Sequence, residues 1–159
     1  MKKQRSFSLG RIFSNDYNSD LATSLTILSW FFYIFAILFG HLPSRQGLLV
    51  ITELHLQYLL KIAIFITAFA IISLFRRLLF FHTLYKRGVE VTGNIYTILD
   101  CDFRHRVEYK YQYQNVDYWR GNALTRSTYN RSNFKNGDEV ILVVDPQNPK
   151  WAVIRDIYF

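Results

Sequence analysis

Four histidines, one cysteine and one lysine inside an apolar run are the side chains of this 159-residue chain best suited to chemistry. His41, His55, His82 and His105 lack the spacing that brings two imidazoles onto one metal ion, and a lone cysteine cannot complete a ligand set. Cys101 lies between Asp100 and Asp102, whose charges disfavour a thiolate, so an inert thiol is expected. No nucleophile elbow, Ser-His-Asp order or glycine-rich phosphate loop is present. The expectation is a non-enzymatic protein with no catalytic residue, cofactor or metal.

Lys61 interrupts the apolar run Leu56–Phe75, and an ionisable residue in such a run is by default a functional candidate. Glu53, Gln57 and Lys61 are spaced by four and line one helix face. The favoured reading is that the lysine stem carries its ammonium back to the interface. The alternative pairs it with Glu53 or with a partner subunit, as in an oligomeric pore or transporter. A second candidate is Trp119 beside Arg120. If the turn at 114–117 keeps its strands in even register, Trp119 shares an exposed face with Lys110 and Gln112 and marks a contact surface. A bulge there would turn Trp119 into the core instead, and that is the reading favoured. Tyr109, Tyr111 and Tyr113 could stack single-stranded bases, but charges on the alternate positions favour a core role.

These residues need elements to hold them. Leu21–Gly40 carries no charge over twenty positions, and Leu56–Phe75 carries only Lys61. A hydrocarbon core of roughly 30 Å takes about 20 helical residues to cross, and a helix satisfies its own backbone there. The pair is predicted to be a transmembrane hairpin over 21–87, including a juxtamembrane stalk after Phe75. Gly40 to Pro43 ends the first span, and Gly88 is read as a left-handed helix terminator after Lys86 and Arg87. Residues 1–20, basic and rich in Ser and Asn, read as a flexible or interfacial arm.

The formal charge of +7 is unevenly placed: residues 1–87 hold ten basic and three acidic side chains, residues 88–159 nine of each. The excess flanks the apolar runs at Lys2, Lys3, Arg5, Arg11, Arg76, Arg77, Lys86 and Arg87. This puts both termini on the cytoplasmic side, gives the flanks affinity for anionic lipid, and leaves residues 88–159 without the net positive charge of a nucleic-acid binder.

After Gly88 the period changes to two. Val107, Tyr109, Tyr111 and Tyr113 alternate with Arg106, Glu108, Lys110 and Gln112, the pattern of a half-buried strand. A strand over Val89–Leu99 with a possible bulge at Gly93, a turn at Asp100 to Asp102, a turn at Gln114 to Asp117, a loop over Thr125–Asn133 and strands over Val140–Val144 and Trp151–Ile157 complete the reading. Five short antiparallel strands over 88–159 predict a small barrel of the SH3 or OB type. Asn136-Gly137-Asp138 and Asp145-Pro146-Gln147-Asn148-Pro149 are turn chemistry, with proline presetting φ and Asp or Asn bonding the backbone just downstream.

Gly137-Asp138-Glu139-Val140 and Asp145-Pro146-Gln147-Asn148-Pro149, preceded by the Val107-x-Tyr109-x-Tyr111 strand, resemble an uncharacterised membrane-protein family known only as a domain of unknown function, number 3592. The resemblance covers the chain from about the second span onward. It implies a small membrane protein with about two spans and a compact β-domain, and it brings no functional residues. The functional expectation is a bacterial inner-membrane protein whose β-module serves as an interaction module or accessory subunit for a protein partner or a second copy. A membrane-tethered single-strand binder and a pore or transporter subunit are the alternatives.

Overall fold

The computed structural model describes residues 7–44, 47–101 and 104–159. It comprises two compact units, one formed by Leu21–Arg76 and the other by the residues up to Asp20 together with Arg77–Phe159.

The first unit is helical. Helix α2 (Tyr17–Phe39) enters it at Leu21, strands β1 (His41–Ser44) and β2 (Gly47–Val50) follow, and helix α3 (Glu53–Arg87) leaves it after Arg76; helix α1 (Leu9–Asn15), which precedes α2, belongs to the second unit. Both α2 and α3 are long and apolar enough to cross a membrane. Only 6% and 11% of their most apolar stretches are buried, whereas the apolar helix of a soluble core hides its surface. Among the described residues of this unit the buried side chains are Ala36, Ala63 and Ala70, small residues that let two helices approach closely in an apolar medium. Polar side chains bond within the unit: Trp30 Nε1 donates to Thr67 Oγ1 at 2.9 Å, which donates to the Ala63 carbonyl at 2.7 Å. Gly40 closes α2 in the left-handed region at φ +68°, with its N–H on the Ala36 carbonyl at 3.0 Å. The loop expected between the spans is a β-hairpin, in which His41 pairs with Val50 and Leu42 with Leu49.

The second unit is a nearly closed barrel of five antiparallel strands, as the alternation predicts. They are β3 (Val89–Cys101), β4 (Arg104–Tyr113), β5 (Val116–Thr125), β6 (Glu139–Val144) and β7 (Ala152–Ile154), in spatial order β5-β4-β3-β6-β7. Helix α4 (Arg126–Ser132) follows β5, and α5 (Arg155–Tyr158) follows β7. Across the gap between the edge strands, Asn122 of β5 accepts from the Ile154 N–H of β7 at 3.1 Å and lies 3.5 Å from the Ala152 carbonyl through Nδ2. Val107, Tyr109, Tyr111, Ile95, Leu142 and Ile154 fill the interior.

Several local expectations change. The Asn-Ser-rich stretch read as an arm is, over its described part, helix α1 and the start of α2. Ile12 is fully buried in the barrel core, and Asn15 Nδ2 donates to the Ile157 carbonyl at 2.7 Å. The stalk at 77–87 likewise belongs to the barrel unit, because Phe81 and Leu84 enter its core. The loop over 125–133 contains helix α4. Thr125 caps its start by accepting from the Thr128 N–H, and Asn133 ends it at φ +53°. The last strand is shorter than predicted, since α5 takes over at Arg155.

Two glycine roles also differ. The bulge in β3 falls between Ile95 and Thr97 rather than at Gly93. A Cβ on Gly93 would come within 2.7 Å of Leu142 Cδ1 and 2.9 Å of the Lys110 carbonyl oxygen, so it is glycine for close approach. Gly88 is not left-handed either; its Cβ would meet the Leu84 carbonyl oxygen and Val143 Cγ1.

Turn chemistry holds at the other motifs. Gln114 and Asn115, at φ +50° and +62°, form a two-residue turn of the kind that matches strand twist. Gly137 sits at φ +90°, and Asp138 Oδ2 accepts from the Lys135 N–H at 2.8 Å. Asp145 Oδ1 accepts from the Gln147 N–H at 3.0 Å, and its carbonyl from the Asn148 N–H at 3.1 Å. Pro146 and Pro149 stand in this crossing from β6 to β7. Asp102, assigned to the turn after β3, lies outside the described residues.

Candidate functional site

The residues with chemical potential are dispersed. His105 stacks on Tyr129 with ring centroids 4.0 Å apart, and its Nδ1 lies 3.4 Å from Asp100 Oδ1. His55 contacts Thr52, while His41 and His82 meet the edges of Phe39 and Phe7. Among the described residues no group of three His, Cys, Asp or Glu side chains is placed to hold a metal. Cys101 is exposed at the end of β3. Lys61 is exposed on α3 with its ammonium 5.7 Å from the Tyr58 ring centre. Among the described residues no ion pair joins Lys61 to Glu53.

Two of the flanking cations do structural work. Arg77 binds the fully buried Asp16 in two-pronged fashion, with Nε 3.0 Å from Oδ2 and Nη2 on Oδ1. Arg87 Nη2 lies 2.8 Å from Oδ2 of Asp145, which is also fully buried. Arg11, Arg76 and Lys86 are exposed. Lys2, Lys3 and Arg5 lie outside the described residues.

The tyrosine row is core. Tyr109 is fully buried; its hydroxyl donates to the Ala152 carbonyl at 2.7 Å and stands 3.1 Å from Asn122 Oδ1. The Tyr111 hydroxyl donates to the Pro149 carbonyl. With Tyr109 and Tyr111 inside the barrel, neither ring offers a face on which a base can stack, whereas Tyr113 is half-buried at the end of β4. Burial pushes the Tyr111 hydroxyl up to about 12, with the Arg120 guanidinium opposing the rise. Burial also raises Tyr109, helped by Tyr111, and raises Tyr158, helped by Asp16. An ordinary tyrosine near 10 loses its proton in the unfolded chain first. Stability is therefore fully present below about pH 10 and falls as pH climbs towards about 12, because the folded state alone keeps the Tyr111 proton. Urea melts of the full chain in detergent are expected to show lower stability at about pH 11 than at about pH 9, with Tyr111→Phe narrowing the gap. Equal stability at the two pH values would contradict this.

The structure separates Trp119 from Arg120. The β4–β5 register is unbroken, with Lys110 opposite Trp119 and Tyr109 opposite Arg120, so the bulge favoured from the sequence is absent here and Trp119 does not enter the core. It is 54% exposed and meets Tyr96 edge-on at 5.5 Å. Tyr96 is itself 51% exposed because the β3 bulge turns it outward. The Lys110 ammonium lies 3.6 Å from the Tyr96 ring centre and 5.8 Å from that of Trp119. Tyr96 was not singled out from the sequence, where nothing marks a bulge at that residue.

Arg120, on the other face, lines a cavity of about 260 Å³ together with Arg77, Arg104, Arg106 and Lys150. Among the described residues no acidic side chain borders it. Arg106 pairs with Glu108 at 2.8 Å, and Arg104 lies over the Tyr17 ring at 5.3 Å. Arg120 donates to the carbonyls of Lys150 at 3.2 Å and Trp119 at 2.8 Å. The neutral sum over 88–159 concealed this segregation. Compared with protein-family models, curated proteins and solved structures, the chain matches none.

Proposed function

We propose that this chain is a non-enzymatic, membrane-anchored interaction module. On this reading α2 and α3 span a bacterial inner membrane with both termini in the cytoplasm, and the barrel meets a protein partner as an accessory subunit of a membrane assembly. The uncovered apolar flanks of α2 and α3 and the basic residues at their ends support the anchor. Exposed Arg11, Arg76 and Lys86 add attraction to anionic lipid, about 1 kcal/mol each near the surface. The chain would belong to the uncharacterised family that residues 137–149 resemble.

The observation that carries the contact role is the Trp119–Tyr96–Lys110 cluster. An indole and a phenol standing half out of the β-sheet, bridged by a cation, have the composition of an interface anchor. Trp119→Ala would remove such an anchor at a cost of about 2 kcal/mol or more in partner affinity. A photo-crosslinking amino acid placed at 119 in the full chain is expected to yield a discrete adduct in native membranes, while the same group at exposed Asn136 does not. An adduct of twice the chain mass identifies a second copy as the partner. Absence of any adduct at 119, or an identical pattern at 136, counts against the proposal.

A further inference from the structure

We infer that the cavity lined by Arg104, Arg120 and Lys150 is a binding site for a phosphate-bearing anion. The inference concerns a cavity whose lining includes neither Trp119, Tyr96 nor Lys110, and it stands apart from the contact role. Among the described residues five cations border the cavity, and two are already neutralised, Arg77 by Asp16 and Arg106 by Glu108. Among the described residues Arg104, Arg120 and Lys150 have no carboxylate partner. Three like charges facing one concavity repel one another, and low-dielectric walls concentrate their field on whatever enters. An anion removes that repulsion.

The donor set specifies which anion. Two guanidinium groups offer planar forks that match phosphate oxygens, and the lysine adds a mobile point charge. Arg120 is held in place by its bonds to two backbone carbonyls, and Arg104 by the Tyr17 ring, so little ordering is required on binding. The volume of about 260 Å³ falls below the roughly 300–1,000 Å³ of pockets for larger organic ligands. It suits one phosphate with a small substituent rather than a nucleotide.

Two sources present this chemistry: the headgroup of an anionic phospholipid and a soluble phosphomonoester. The chain itself favours the headgroup. Asn18 and Arg77 also line the cavity, and they stand three residues before Leu21 and one residue after Arg76, where the apolar unit begins and ends.

The test uses the full chain in neutral detergent, titrated calorimetrically with dihexanoyl phosphatidic acid and, separately, with glycerol 3-phosphate. Saturable one-to-one binding is expected, weakened about tenfold or more by Lys150→Glu and by Arg104→Gln through loss of a charge-assisted contact. Lys86→Gln, which alters a cation outside the cavity, is expected to change affinity less than about twofold, the modest effect of an exposed charge. Circular-dichroism melts check that each variant is folded; Lys150 is exposed, so its variant keeps the test open if Arg104→Gln fails to fold. Binding of the lipid alone assigns the site to a membrane headgroup, and equal binding of both ligands assigns it to a soluble phosphate. No saturable binding of either, or binding that both cavity variants leave unchanged, overturns the inference.

Discussion

Arg77→Met is expected to destabilise the barrel unit by about 3–5 kcal/mol, the cost of leaving a buried charge without its partner. Asp16 is wholly buried, and its oxygens accept from Arg77 Nε and Nη2 and from the Ser19 N–H and hydroxyl, at 3.0 and 2.9 Å. Methionine keeps most of the apolar stem, so packing against Phe80 and Phe81, each 4.9 Å from the guanidinium, is largely retained. The loss is then electrostatic. The double variant Arg77→Met, Asp16→Leu should recover much of it, since two apolar side chains carry no desolvation cost. Urea melts of the full chain in detergent, read by near-ultraviolet circular dichroism, make the comparison. A single variant within about 1 kcal/mol of the parent would show that the pair behaves like an exposed salt bridge.

Gly88→Ala is expected to cost about 3 kcal/mol, the upper end of the usual penalty for overpacking. The added methyl would collide with the Leu84 carbonyl oxygen and with Val143 Cγ1. Neither neighbour is the free end of a flexible side chain: one is the last turn of α3 and the other lies in β6. Gly137→Ala provides the contrast. Gly137 has φ +90° but nothing within 4 Å of its added methyl, so only backbone strain of about 1–2 kcal/mol is at stake. The expected order is therefore the reverse of one based on φ alone. If Gly137→Ala proves the more damaging in the same melts, the close approach of α3 to β6 is misjudged.

Much of the architecture was legible because it rests on repeated signals. Two long apolar runs, broken by charge only at Lys61, give the apolar helices, period-two alternation through Val107, Tyr109 and Tyr111 gives the central strand, and turn residues at 136–138 and 145–149 give the crossings. What escaped depends on single side chains or on pairing between distant segments. Ile12 makes the arm part of the core, yet one isoleucine in a Ser-Asn-rich stretch sets no period. Helix α4 is built of poor helix formers and owes its place to the Thr125 cap and to Asn15, whose Oδ1 accepts from Thr128 Oγ1 at 2.8 Å and Arg131 Nη2 at 3.0 Å. Trp119 turned on a one-residue choice of register. The cation-lined cavity gathers Arg77, Arg104, Arg120 and Lys150 from four separate stretches, and a domain-wide charge count averages them away. The alternate spacing of Arg104 and Arg106 was the one local hint.

The native cysteine offers the most direct measurement of the anchor itself. Cys101 is exposed at the end of β3 and is the chain's single cysteine. In sealed right-side-out membrane vesicles, a membrane-impermeant maleimide is expected to leave Cys101 unlabelled until detergent is added. In a Cys101→Ser background, Leu48→Cys in the hairpin between the two apolar helices is expected to react without detergent. Labelling of Cys101 in intact vesicles, or protection of position 48, would contradict two spans that hold the barrel on the cytoplasmic side.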